Sequence, residues 1–187
     1  MRIIAGKFGS QPLLAPKGWK TRPTSDRLRE TLFNVLAPRI EGAIFADLFA
    51  GTGAVGIEAL SRGARHVYFA ENSKLALPTL RANLERFPVA SQCAVDTAGT
   101  MPLLRRLARQ NIPLDLVFLD PPYSDATGYQ DTLEFLGTCS IVSATTVVVA
   151  EHARRTPLAS QYARLTRYRV LEQGDASLSF FAPLRDS

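Results

Sequence analysis

Cysteine is scarce in this chain: Cys93 and Cys139 are the only two among 187 residues, far apart and without ligand-like spacing. With only His66 and His152 beside them they make no metal set, so neither a metal centre nor a disulfide framework is expected. Both cysteines read as buried apolar fillers. Long apolar runs are missing too. No stretch approaches the ~20 residues of a membrane span. The opening Met1-Arg2-Ile3-Ile4-Ala5-Gly6-Lys7 also lacks the continuous apolar segment of a secretory signal. A cytoplasmic protein with no membrane partner is the expectation. Internal repeats and low-complexity tracts are absent as well, and a hydrophobic content of 46% excludes general disorder. The length fits one domain of ordinary size with a real core, with room for a small appendage.

What the chain does have is an uneven charge. The net charge is +5, yet residues 1–40 hold eight basic side chains (Arg2, Lys7, Lys17, Lys20, Arg22, Arg27, Arg29, Arg39) against Asp26 and Glu30. That leaves the remainder nearly neutral. A basic leading segment on a neutral body is an electrostatic footprint for a polyanion.

Residues 1–16 alternate weakly around Gly6-Lys7-Phe8-Gly9-Ser10 and predict a β-hairpin or paired arms. A basic loop over 17–23 follows. Thr24, Ser25 and Asp26 then supply an N-cap and a first-turn acid for a helix whose apolar face is Leu28, Leu32, Val35 and Leu36, with Pro38 as its expected stop. From residue 43 strands and helices alternate: strands near 43–49, 66–70, 89–95, 114–119 and 145–150, helices near 54–62, 73–86, 98–110 and 129–138. Such alternation implies right-handed βαβ crossovers and a mostly parallel sheet. Two more extended runs, 164–171 and 176–182, flank Gln173-Gly174-Asp175 and predict a terminal antiparallel hairpin. The expected division is a basic N-terminal extension over 1–40 and a catalytic domain over 41–187.

The first chemical motif is Asp47-Leu48-Phe49-Ala50-Gly51-Thr52-Gly53-Ala54-Val55-Gly56, a strand turning through glycines into a helix. Gly51 and Gly53 permit the tight turn and close backbone approach to a ligand, and Gly56 lets helix and strand pack. Glu71 lies 20 residues after Gly51, at the end of the next strand, where a carboxylate can accept both hydroxyls of a ribose. Two adenosine-containing ligands fit this pattern. A dinucleotide would lay its pyrophosphate on the helix N-terminus, where the carboxylate of Asp47 is unwelcome. The cationic head of S-adenosylmethionine suits Asp47 instead, and Asp96, ending the third strand, can accept from the adenine amine.

The second motif is Asp120-Pro121-Pro122-Tyr123, about 70 residues further on at the end of the fourth strand. Consecutive prolines remove two backbone donors and stiffen the loop. A nucleobase NH2 is a poor nucleophile because its lone pair is delocalised. The Asp120 carboxylate and the Pro121 carbonyl can each accept one N–H, aiming that lone pair at an electrophile, while Tyr123 stacks on the base. Together the motifs describe an amine methyltransferase with both loops at the carboxyl edge of one sheet.

The sequence resembles the RsmD-type methyltransferases that modify a guanine N2 in 16S ribosomal RNA. The likeness rests on Met1-Arg2-Ile3-Ile4-Ala5-Gly6-Lys7, on Thr21-Arg22-Pro23-Thr24-Ser25-Asp26-Arg27-Leu28-Arg29-Glu30, and on the two loops just described. It implies an α/β, Rossmann-like S-adenosylmethionine-dependent methyltransferase fold. The sheet would be seven-stranded and mostly parallel, with the small N-terminal extension helping to bind RNA. The donor site then comprises Asp47, Phe49, Gly51, Thr52, Gly53, Glu71 and Asp96, and the catalytic loop Asp120, Pro121, Pro122 and Tyr123. Arg22, Arg27 and Arg29, supported by Lys7, Lys17 and Lys20, are the expected RNA phosphate contacts. Trp19 reads as an anchor for the N-terminal arm. A monomer acting on the small ribosomal subunit or its assembly intermediate is expected. The competing readings are a DNA adenine-N6 methyltransferase, an NAD-binding oxidoreductase and a noncatalytic RNA-binding assembly factor.

Overall fold

A computed structural model describes residues 1–15, 26–122 and 125–184. The strand order in the sheet is β3-β2-β1-β4-β5-β8-β7-β6. Its parallel half comprises β1 (Ile44–Leu48), β2 (His66–Ala70), β3 (Cys93–Asp96), β4 (Leu114–Leu119) and β5 (Val142–Ala153). The antiparallel end is β8 (Ala176–Pro183), β7 (Leu165–Gln173) and the two-residue β6 (Gln161–Tyr162). That short β6 is the eighth strand where seven were expected. The helices are α1 (Asp26–Ile40), α2 (Ala54–Ser61), α3 (Leu77–Glu85), α4 (Thr100–Arg109) and α5 (Ala126–Thr138).

Burial on both faces explains the near-continuous apolar character of β1 and β4. On one side Phe45, Leu116, Phe118, Val147 and Val149 pack with α1, α2 and the N-terminal residues Ile3, Phe8 and Leu13. On the other, Ala46, Leu48, Val117, Leu119 and Val148 meet Leu103, Leu104 and Leu107 of α4 and Leu133 and Leu136 of α5. Residues 1–15 and α1 therefore share the core of the sheet.

Several boundaries differ from the sequence reading. Pro38 does not stop α1, which runs on to bury Ile40. A proline so near a helix end forfeits only the bond to the carbonyl four residues back, and burial of Ile40 offsets it. α3 starts at Leu77, later than expected, because Pro78 sits in its first turn and Ser73 holds residues 75 and 76 in a turn. A 3₁₀ turn over Ala90–Gln92 occupies what reads as the start of the third strand. The N-terminal hairpin is reduced to a single bridge, Arg2 with Pro12, flanked by Ile3 N–H to Gln11 O at 2.9 Å and Ser10 N–H to Ile3 O at 2.8 Å. Gly6 sits there with φ 82° against the Ser61 carbonyl, a place no side chain fits. Both cysteines are free and only half-buried, and burial pushes the Cys93 thiol pKa up.

Candidate methyl-transfer site

The direction of strand addition reverses between β1 and β4, the switch point at which open α/β sheets bind ligands. Pairing of Leu48 with Leu119 brings the two motif loops out side by side, and Asp120 N–H meets Leu48 O at 3.3 Å. Asp47 pairs in register with Phe118, and Phe118 with Val149. Paired residues share a face and the side-chain period of a strand is two. Asp47, Asp120 and Glu151 therefore project from the same face of three adjacent strands. Glu151 is buried and Asp120 half-buried.

This crowding sets the electrostatics. Burial pushes the Asp47 pKa up to about 8, against a hydrogen bond from Gly56 N–H that lowers it. Burial, then the charges of Glu151 and Asp47, hold the Asp120 carboxyl well above the usual carboxylate range. A site of this kind favours a cation.

The glycine loop confirms that preference in its backbone. Asp47 Oδ2 accepts from Gly56 N–H at 2.8 Å in the first turn of α2, and Glu71 Oε2 accepts from Gly51 N–H at 2.7 Å. The position where a dinucleotide would place its pyrophosphate is thus held by the protein's own carboxylate. These residues fit the cationic head of S-adenosylmethionine and oppose an anionic one. Phe49, at the exit of β1, carries φ 65°, a left-handed conformation that an aromatic residue adopts only when its surroundings impose it.

Glu71 is buried, and its second oxygen accepts from Ser73 N–H at 2.7 Å. Each of its oxygens retains a lone pair for a ligand hydroxyl. Asp96 is engaged by Arg106 Nη2 at 3.2 Å and by Ala98 N–H at 2.9 Å, with one Oδ1 lone pair left over. Asn83 donates to the Thr52 carbonyl at 3.0 Å and so fixes the loop from below.

At the second loop, Tyr129 of α5 donates its hydroxyl to Glu151 O at 2.7 Å and lies 3.3 Å from Pro121 O. Asp125 N–H bonds Pro122 O at 2.7 Å, and the Asp125 side chain caps α5 through Gly128 N–H at 2.8 Å. The proline loop is therefore clamped from both ends. Tyr123, Lys17, Trp19, Lys20 and Arg22 lie outside the described residues. Lys7 and Arg27 are exposed.

Arg29 requires a correction. It is fully buried, its guanidinium shared among the Arg2 carbonyl, Asp26 Oδ1 at 3.1 Å and Glu58 Oε2 at 3.8 Å, and burial lowers its pKa. A side chain so placed braces the N-terminal segment and meets no phosphate. Its partner Glu58, also buried, accepts from Ile4 N–H at 2.7 Å and Ala5 N–H at 3.0 Å. Sequence reading missed Glu58, Asn83, Tyr129 and Glu151. Only Glu151 left a signal, as a carboxylate ending an apolar strand just as Asp47 and Asp120 do.

Comparison with known proteins agrees with this geometry. YlbH of Bacillus subtilis (strain 168), described as a candidate rRNA methyltransferase, is 34% identical over 158 residues, 84% of this chain and 85% of that protein. Ribosomal RNA small subunit methyltransferase D of Haemophilus influenzae is 42% identical over 125 residues, 66% of this chain but 64% of its own length. The solved structure of yhhF from Escherichia coli, described as a candidate methyltransferase, superposes with a TM-score of 0.83 at 32% identity and covers 98% of this chain and 97% of that one. The family model described as conserved hypothetical protein 95 matches residues 1–182, and the chain belongs to that family, the one its sequence resembles and that it shares with the small subunit methyltransferase D proteins.

Proposed function

We propose that this protein transfers a methyl group from S-adenosylmethionine to the exocyclic N2 of a guanine in 16S ribosomal RNA, within the small subunit or its assembly intermediate. The observation that carries the reading is the juxtaposition of the glycine loop and the Asp-Pro-Pro loop at the switch point, locked by the Leu48–Leu119 pairing. S-adenosylmethionine supplies the electrophilic methyl.

The rest falls to the chain's own residues. Asp47, Phe49, Gly51, Thr52 and Gly53 hold the donor head, Glu71 its ribose and Asp96 its adenine amine. Asp120 and the Pro121 carbonyl orient the guanine amine, flipped out of its helix, and Tyr123 stacks on the ring. Asp120 also stabilises the positive charge that the amine acquires on methylation, and the acidic methylated cation then releases its proton to solvent, so orientation and electrostatics account for the rate without a strong general base. Asp47, Asp120 and Glu151 together favour a positively charged donor over its neutral product, which promotes product release. Lys7, Lys17, Lys20, Arg22 and Arg27 supply phosphate contacts along the N-terminal segment.

The test is tritiated methyl transfer to small subunits lacking their own methylation, with naked 16S RNA and duplex DNA in parallel and the modified nucleoside identified by mass. N2-methylguanine in RNA alone is the expected product. Label in DNA as N6-methyladenine would overturn the substrate, and no label at all would overturn the activity.

A further inference from the structure

A cavity of about 250 Å³ opens beside the acceptor loop, between α5 and the segment that joins β5 to β6. Tyr129, His152 and Tyr162 form its buried wall, and the exposed Gln130, Thr156 and Ala159 its outer lining. The wall is aromatic and uncharged. Burial lowers the His152 pKa, so the ring is neutral, and it is fixed by Ala153 O at 3.0 Å and Ser179 Oγ at 2.9 Å. Tyr162 Oη accepts from Ala159 N–H at 3.0 Å and keeps its own proton to donate. The outer edge is cationic: Arg154 and Arg155 immediately precede Thr156 and both are exposed, Arg154 being paired with Glu172 at 2.9 Å. Such a volume falls just under the ~300 Å³ at which sites for drug-sized ligands begin, which leaves room for one ring system. An aromatic wall with a cationic edge suits a nucleobase carrying its phosphate.

Position decides which nucleotide. Tyr129 belongs to both places: its side chain walls the cavity, and its hydroxyl lies 3.3 Å from Pro121 O, the carbonyl assigned to the guanine amine. The cavity and the target amine are thus one tyrosine side chain apart, within reach of neighbouring bases on a splayed single strand. We propose that this cavity is the subsite for the base of a nucleotide next to the target guanine, so that sequence context is read together with the guanine itself, an inference that rests on the function given above. The base stacks on the aromatic wall, the Tyr162 hydroxyl donates to an acceptor on it, and Arg155 meets its phosphate. Holding the strand on one side of the flipped nucleotide restricts its rotation and so helps to aim the amine.

The experiment measures kcat/KM for methyl transfer by the full chain to unmethylated small subunits assembled from 16S transcripts. Each nucleotide flanking the methylated guanine is changed in turn to the other three. In the wild type, the base at one flank should alter kcat/KM by about 5-fold or more. Ala159→Trp and Thr156→Trp, at two separate exposed positions of the outer lining, each fill the cavity and leave its aromatic wall intact. Thermal unfolding and S-adenosylhomocysteine binding verify that both variants fold with the donor site preserved. In either filled variant the rates on the different bases at that flank should converge to within about 2-fold, the best transcript losing most. A purely structural disturbance would slow every transcript alike and keep the spread. Wild-type rates indifferent to both flanks, or a spread that survives in a folded filled variant, overturn the subsite. A wild type that binds S-adenosylhomocysteine yet transfers no methyl group to any transcript overturns the function itself, and the subsite with it.

Discussion

Asp120 and Leu48 are joined by a backbone hydrogen bond of 3.3 Å, donated by the first residue of one loop to the last strand residue before the other. The starts of the glycine loop and of the Asp-Pro-Pro loop are therefore held side by side by strand pairing. Orientation of this kind is the main source of rate in a reaction whose nucleophile needs aiming more than activating.

Asp120→Ala should lower single-turnover methyl transfer by about 100-fold or more while S-adenosylhomocysteine still binds, because one charge-stabilising group is lost at the reacting nitrogen. In the wild type the transfer rate should climb with pH through a window above the ordinary carboxylate range, since burial, Glu151 and Asp47 raise the Asp120 pKa and the anion is the accepting form. Asp120→Asn should flatten that climb. Near-normal turnover in the alanine variant would refute the assignment.

Asp47 binds its proton more tightly in the folded protein, where its pKa reaches about 8, than in an unfolded chain at the ordinary value of 3.8. Its contribution to stability is thus fully present below pH ~4 and is lost as pH rises towards 8. Asp47→Asn should raise the melting temperature at pH 7, since the asparagine oxygen still accepts from Gly56 N–H and folding no longer requires an ionised carboxyl to take up a proton. The same change should weaken donor binding at least ~10-fold. Wild-type affinity for S-adenosylmethionine should increase with pH up to about 8, with proton release on binding, both measurable by titration calorimetry in buffers of different ionisation enthalpy.

Arg27 and Arg29, two residues apart on α1, should behave oppositely. Arg27 is exposed, so Arg27→Ala should reduce the salt dependence of RNA binding by about one counterion without altering stability. Arg29 is buried against Glu58, so Arg29→Ala should destabilise the fold by about 3–5 kcal/mol and leave the salt slope of any remaining folded protein unchanged. Denaturant melts and filter binding at graded ionic strength separate the two.

Tyr129→Phe removes the hydroxyl that holds Glu151 O and neighbours Pro121 O. A loss of about 1 kcal/mol in stability is expected. The turnover number should fall several-fold with the KM for S-adenosylmethionine unchanged, since the clamp acts on the acceptor loop. A raised donor KM would place Tyr129 on the wrong side of the site.

The parallel half of the sheet was legible because its strands are apolar runs ending in acids. Asp47 and Asp120 announce themselves by that pattern, and β2 and β4 have the bounds that their sequences imply. Arg29 was misread because charge in a sequence does not say which way a helix faces. It lies one residue after Leu28 on the buried face, and its neutralising partner Glu58 is 29 residues away. Asn83 was invisible for a similar reason: its three partners come from positions 14 and 52, and no local pattern marks an amide that serves distant backbone.

The antiparallel end of the sheet has a bearing on how the protein survives at high concentration. β6 pairs with β7 at Leu165 and Thr166, and Ser160 O takes the Arg167 N–H at 2.8 Å, which leaves β7 beyond Arg167 as an open border among the described residues. Its pairing with β8 slips between Arg167 and Arg169, and Arg167, Arg169 and Glu172 punctuate the run. An irregular, charged border is a poor template for a foreign strand, so crowded or newly made copies are discouraged from zipping together into aggregates along this side.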